Sequence, residues 1–206
     1  SWSTELLHAS GSAFKVFYQG VEQGMVEWDL IGQHNVDNAL MAIAAAHHVG
    51  VPADVSCAAL HQYRNTKRRL ELLGTVNQVS VYDDFAHHPT AIQTTLDGMR
   101  KKIGSARILA VLEPRSNTMK LGTMADELEQ SLALADEVFM LQPDHVQWAV
   151  TDKVPRAFVG QTVAQLLALL GEAVRPGDHV VIMSNGGFGG IHQQLLTQLS
   201  ALQLSN

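Results

Sequence analysis

The stretch Arg107-Ile108-Leu109-Ala110-Val111-Leu112 is apolar from Ile108 to Leu112 and stops at Glu113-Pro114-Arg115-Ser116-Asn117-Thr118. An apolar run without alternation, closed by a polar turn, suits a strand buried on both faces, and such strands belong to parallel sheets covered by helices. His179-Val180-Val181-Ile182-Met183-Ser184 has the same character and ends in a glycine-rich turn. Working outward, strands are read at 70–76, 79–82, 137–141 and 157–159, with helices at 91–103, 123–135, 163–174 and 190–202 between most of them. Strands joined through helices of about ten or more residues require right-handed crossovers, so the expected fold class is α/β with a doubly wound, mostly parallel sheet.

This pattern begins after the basic joint Thr66-Lys67-Arg68-Arg69, which places a domain boundary between residues 66 and 67. Residues 67–206 are enough for one such domain with its own core. Upstream, residues 13–20 and 24–30 read as two strands of a hairpin. Helices are read from Val36 up to Gly50 and over 53–63. Residues 1–66 look too strand-poor and open-ended to stand alone, and a chain that starts at Ser1 in the middle of what reads as a strand-rich opening reads as a piece of something longer.

Composition narrows the function classes. Of the residues, 46% are hydrophobic and 17% charged, and 14 Lys and Arg against 20 Asp and Glu give a net charge of −6. No basic field awaits a phosphate backbone, so nucleic acid is a poor partner, and no run approaches the roughly 18 apolar residues of a membrane span. The single cysteine, Cys57, closes no disulfide within the chain, which points to the reducing cytoplasm. Its place beside Ala58 and Ala59, with no cation nearby in sequence, favours a buried structural thiol over a nucleophile.

In doubly wound sheets, ligands bind where the strands' carboxyl ends meet their loops. Asp83-Asp84-Phe85-Ala86-His87-His88-Pro89 could bind a metal, hold ribose hydroxyls or exchange protons; equally, it could be carboxylate caps and exposed histidines before a helix. Its histidines lack a partner pair at zinc spacing. Arg115 with Ser116, Asn117 and Thr118 offers a donor fork suited to a carboxylate, or simply a polar loop. Ser184-Asn185-Gly186-Gly187-Phe188-Gly189-Gly190 fails the G-x-G-x-x-G test: counted from Gly187 the third glycine falls on His192, and from Gly186 the middle one falls on Phe188. It can still let a ligand close to the backbone, or serve as a tight turn. No Gly-Lys-Ser or Gly-Lys-Thr occurs, so no phosphate loop is present. Asn35 and Asn38, one turn apart, could read a base edge, although a helix N-cap is the simpler role for Asn35.

Taken in order, Gly32-Gln33-His34-Asn35-Val36-Asp37-Asn38-Ala39, Arg69-Leu70-Glu71 and Asp83-Asp84-Phe85-Ala86-His87-His88-Pro89 resemble the Mur ligases, ATP-dependent amide-forming enzymes of bacterial cell-wall synthesis. Glu113 to Met119 and Ser184 to His192 are similar to the members that join UDP-N-acetylmuramate to the recycled tripeptide L-alanyl-γ-D-glutamyl-meso-diaminopimelate. Members that add L-alanine instead typically carry Tyr-Gly between the aspartate pair and His-His-Pro, and His-Arg-Tyr-Thr-Arg where this chain has Arg115 to Met119.

The resemblance implies the end of a central ATPase domain over residues 1–66 and a complete Rossmann-like C-terminal domain over 67–206. The N-terminal sugar-binding domain and the rest of the central domain are missing partners, so this portion by itself should be inactive. It further implies that ATP phosphorylates the muramoyl carboxylate, that the peptide amine attacks the acyl phosphate, and that Mg²⁺ screens the charges. By the same resemblance, Asn38 contacts adenine with Asn35 close by; Arg69, Asp84 and His87 serve ATP. Arg115, Ser116, Asn117 and Thr118 grip the peptide with Asn185, Gly186 and Gly187. None of them need be a general base. A stand-alone nucleotide-binding module is the alternative from another class.

Overall fold

The computed structural model describes residues 1–115, 125–142, 144, 146 and 148–201. They form two compact units, residues 1–66 with 97–104, and residues 67–96 with 105–206.

The first unit opens with β1 (Trp2–Leu6), β2 (Ala13–Tyr18) and β3 (Val21–Glu27), an antiparallel sheet in that order, followed by helices α1 (Gln33–His48) and α2 (Ala53–His61). Residues 1–66 are therefore not strand-poor. The polar sequence of β1 hides it, because an edge strand with one wet face shows little apolar content. β3 also starts earlier than residue 24. Gln19 and Gly20 both have positive φ, the geometry of a two-residue hairpin turn, and Gly24 lies inside the strand beside a bulge. A Cβ on Gly24 would come 3.3 Å from Cys57, so the missing side chain lets α2 approach the sheet. Cys57 is buried among Phe14, Val16, Val26 and Ile43, and burial pushes its thiol pKa up.

The second unit is a six-stranded sheet in the order β4-β5-β9-β6-β7-β8, built from β4 (Glu71–Val76), β5 (Val79–Asp84), β6 (Ile108–Leu112), β7 (Glu137–Leu141), β8 (Phe158–Gly160) and β9 (His179–Met183). Only the β4–β5 pair is antiparallel, closed by Asn77 and Gln78, both at positive φ; every other pairing is parallel. Its helices are the first part of α3 (Pro89–Ile103), which belongs to the first unit from Asp97 on, α4 (Leu128–Ser131) after a 3₁₀ turn at Ala125–Glu127, α5 (Val150–Lys153), α6 (Val163–Ala173) and α7 (Ile191–Ala201). Every residue of β6 is buried, as its unbroken apolar run requires. One sheet face packs Val81, Leu109, Val111, Val180 and Ile182 against Leu166 and Leu170 of α6 and Ile191 and Leu195 of α7.

The helix read over 123–135 is a correction: residues 123 and 124 lie outside the described residues, and α4 closes at Ser131. Arg156 takes the carbonyls of Leu132 and Ala135 at 2.6 and 3.0 Å, satisfying groups that a continued helix would have used internally. The short α5 is missing from the sequence reading altogether. No helix among the described residues is long and apolar enough to cross a membrane.

Candidate functional site

The strand order decides where chemistry can gather. β9 returns into the slot between β5 and β6, and Met183 pairs with Asp84 on one side and Leu112 on the other. Three chain segments therefore leave the sheet side by side at one rim: Phe85 to His88, Ser184 to Gly187, and Glu113 to Arg115. The ladder continues into them through Ser184 N–H to Asp84 O at 3.1 Å and Glu113 N–H to Met183 O at 3.2 Å.

Gly186 is pinned at both ends of its backbone. Its N–H donates to Ser184 Oγ at 2.9 Å, and that hydroxyl in turn donates to Glu113 Oε2. Its carbonyl accepts from Arg68 Nη2 at 2.7 Å, and the same nitrogen donates to Ser184 O at 2.6 Å. The Arg115 guanidinium lies over Gly186, where a Cβ would come within 2.6 Å of its Cδ and Cζ. Arg115 is half exposed, and its Nη1 stands 4.0 Å from Glu113 Oε1, a loose approach that leaves the fork open to an anion. The Asn185 side-chain oxygen is buried and accepts no hydrogen bond from the described residues. Ser116, Asn117 and Thr118 lie outside the described residues.

On the β5 side, Asp84 is 5% exposed. Its carboxylate accepts from Leu70 N–H and Ala86 N–H, each at 2.7 Å, and from Thr95 Oγ1 at 3.1 Å. Three of roughly four acceptor sites are thus filled, leaving capacity for one more donor. Burial pushes its pKa up, opposed by the Ala86 and Leu70 amides, the Thr95 hydroxyl and the charge of Arg69. Arg69 sits over the Phe85 ring with Cζ 5.7 Å from its centroid. His87 Nδ1–H donates to Phe85 O at 2.8 Å, which leaves Nε2 as the acceptor of the neutral ring.

Two expected caps are corrected. His88 Nδ1 accepts from Ala91 N–H at 3.3 Å at the start of α3, so an imidazole, not a carboxylate, caps that helix. Asn35 is no N-cap: α1 starts from Gly32, and Asn35, inside the helix, donates from Nδ2 to Ile31 O at 2.8 Å. Gly32 holds φ +95°, and a Cβ there would come 2.6 Å from the His34 ring, so two constraints require glycine where the helix begins. Asn38 is exposed on the next turn of α1. Both asparagines belong to the first unit; Arg69, Asp84, His87, Arg115, Asn185, Gly186 and Gly187 all belong to the second.

Residues 68–186 match the family described as Mur ligase, glutamate ligase domain. The chain belongs to the Mur ligase family. It is 52% identical over 205 residues to the UDP-N-acetylmuramate–L-alanyl-γ-D-glutamyl-meso-2,6-diaminoheptandioate ligase of Escherichia coli K12, covering 97% of this chain and 45% of that protein. A UDP-N-acetylmuramate–L-alanine ligase of Koribacter versatilis is 32% identical over 217 residues, with 98% and 46% covered. The crystal structure of a murein peptide ligase from Psychrobacter arcticus matches with a TM-score of 0.71 and 44% identity over 99% of this chain and 45% of that one. The chain thus spans about half the length of the relatives it matches.

Sequence reasoning gave no role to Arg68 or His192 in this Mur ligase domain, and it named Asp83, Glu113 and Ser184 only as members of the candidate loops without a role of their own. Glu113 and Ser184 stand in the two loops that the strand ends single out. Arg68 is inseparable from Arg69 by spacing alone, and His192 is the residue that breaks the dinucleotide fingerprint. Among the described residues, no three His, Cys, Asp or Glu side chains gather as a metal-ligand set.

Proposed function

We propose that this chain is the C-terminal part of an ATP-dependent cytoplasmic ligase that joins UDP-N-acetylmuramate to L-alanyl-γ-D-glutamyl-meso-diaminopimelate in the reuse of cell-wall peptides. The observation that carries the reading is the identity to the tripeptide ligase, 52%, set against 32% for the L-alanine ligase over a similar share of this chain. Residues 1–66 correspond in this reading to the end of the central ATPase domain, and residues 67–206 to the domain that presents the acceptor.

The chain's own residues then divide the work. The Arg115 fork takes a carboxylate of the peptide, and the buried Asn185 oxygen offers an acceptor to a donor such as its ammonium or an amide. Ser116, Asn117 and Thr118 complete the grip. Arg69, His87 through Nε2 and the remaining acceptor site of Asp84 serve ATP, and Asn35 and Asn38 serve its base. The activating chemistry belongs to the nucleotide: phosphoryl transfer from ATP would make the muramoyl carboxyl an acyl phosphate and release ADP, and the peptide amine would attack its carbonyl carbon and expel inorganic phosphate. These residues contribute by orienting the amine, worth several kcal/mol when the geometry is held.

Initial rates of the intact ligase with the tripeptide and with free L-alanine test the assignment. The tripeptide should be preferred in kcat/KM by a factor of about 100 or more. Preference for L-alanine would defeat it.

A further inference from the structure

Arg68 is a non-glycine residue at φ +61°, and Leu70, two residues on, is at +49°. Each such conformation is strained for a residue with a Cβ and persists only where its surroundings over-determine it. At Arg68 they do. Its N–H donates to Glu71 Oε2 at 2.9 Å, its carbonyl accepts from Phe85 N–H at 2.9 Å, and its Cζ lies 5.3 Å from the Phe85 ring centroid. Nε donates to Asp83 Oδ2 at 3.2 Å, while Nη2 holds the Ser184 and Gly186 carbonyls. Asp83, 8% exposed, is flanked on its other side by His192 in the first turn of α7, with Nε2 3.1 Å from Oδ1. Nε2 makes no hydrogen bond of good geometry among the described residues, so His192 acts on the carboxylate through this close approach alone. Burial holds the imidazole pKa down; Asp83 raises it and Arg68 lowers it further.

Of these residues it is Arg68 that holds the Gly186 carbonyl, and Arg115 lies where a side chain on that same Gly186 would stand. We propose that Arg68, oriented by Asp83 and His192, is a positioning residue: it sets the height and tilt of the Ser184–Gly186 backbone and thereby the direction of the Arg115 fork. This inference rests on the reading of Arg115 as an acceptor-binding residue. A lysine at 68 keeps the charge but has no planar fork with which to bind Asp83 and two carbonyls in fixed directions.

The test compares Arg68→Lys, His192→Gln and Arg115→Ala in the intact ligase, measuring kcat and the KM of tripeptide and ATP separately. Arg68→Lys should raise the tripeptide KM about tenfold, the size of one or two lost charge-assisted hydrogen bonds, with the ATP KM within about twofold. His192→Gln should move the same constant in the same direction by less. In the 206-residue chain, amide exchange at Gly186 should quicken in Arg68→Lys while Tm shifts by no more than a few degrees. If Arg115→Ala raises the tripeptide KM and Arg68→Lys leaves both it and the Gly186 exchange unchanged, the positioning role is overturned and the acceptor reading stands. If Arg115→Ala itself leaves the tripeptide KM unchanged, the acceptor reading fails and the positioning role falls with it. Should Arg68→Lys not fold, His192→Gln alone decides: an unchanged tripeptide KM refutes the proposal.

Discussion

The Arg115 guanidinium occupies the space that any side chain on Gly186 would need. Gly186 has no positive φ, so its lack of a side chain answers to that neighbour and not to its backbone. Gly186→Ala should therefore displace a half-exposed arginine at little cost, with stability changed by less than about 1 kcal/mol but the tripeptide KM raised. Gly160→Ala meets the backbone of Leu166, N at 2.9 Å, and should destabilise by about 1–3 kcal/mol because nothing there can step aside. At Gly187 a Cβ meets nothing within 4 Å, so Gly187→Ala should leave Tm unchanged or slightly higher. Thermal melts of the three variants, with kinetics for the first, check the ranking.

Asp84 organises the exit from β5 through acceptors alone. In Asp84→Asn, the amide nitrogen would confront the Leu70 or Ala86 N–H, donor against donor, so a loss of about 2 kcal/mol is expected. Urea unfolding measures it, and an unchanged midpoint would show that the carboxylate is not holding those amides.

His192 should make stability depend on pH. Burial depresses its folded-state pKa below the ordinary value of 6.5, so the unfolded chain takes up that proton first as pH falls. The contribution is fully present above the ordinary histidine value and is lost as pH drops from there through the folded pKa. His192→Gln should flatten the fall in Tm within that window, and a slope identical to wild type would contradict it.

At the opposite rim of the sheet, Arg107 Nη2 lies 2.6 Å from Glu137 Oε1 and Nη1 lies 3.5 Å from Asp178 Oδ2, with Asp178 3% exposed. Arg107→Ala removes a cation from beside a buried carboxylate that keeps the Arg175 N–H at 2.8 Å, and should cost about 1–2 kcal/mol by denaturant unfolding. No effect on the tripeptide KM is expected, because the site lies at the other ends of the strands.

What the sequence shows is uneven for physical reasons. β6 and β9 were readable because burial on both faces demands unbroken apolar runs, and the Gly186 and Arg115 loops were readable because they follow such strands. β1 was not, since one wet face and edge placement leave it polar. The Arg68 network was invisible for another reason: Arg68, Asp83 and Ser184 meet only because β9 inserts between β5 and β6, and strand order is not written in local periodicity. Asn35 misled because its side chain can cap a helix or bond back to Ile31, and composition does not choose between them.

The most direct test of the central claim, that the loops after β6 and β9 bind the acceptor of a ligase site, is the pair of Michaelis constants for Arg115→Ala in the intact enzyme. A tripeptide KM raised about tenfold or more with the ATP KM within about twofold is the expected result. A raised ATP KM with an unaltered tripeptide KM would contradict it.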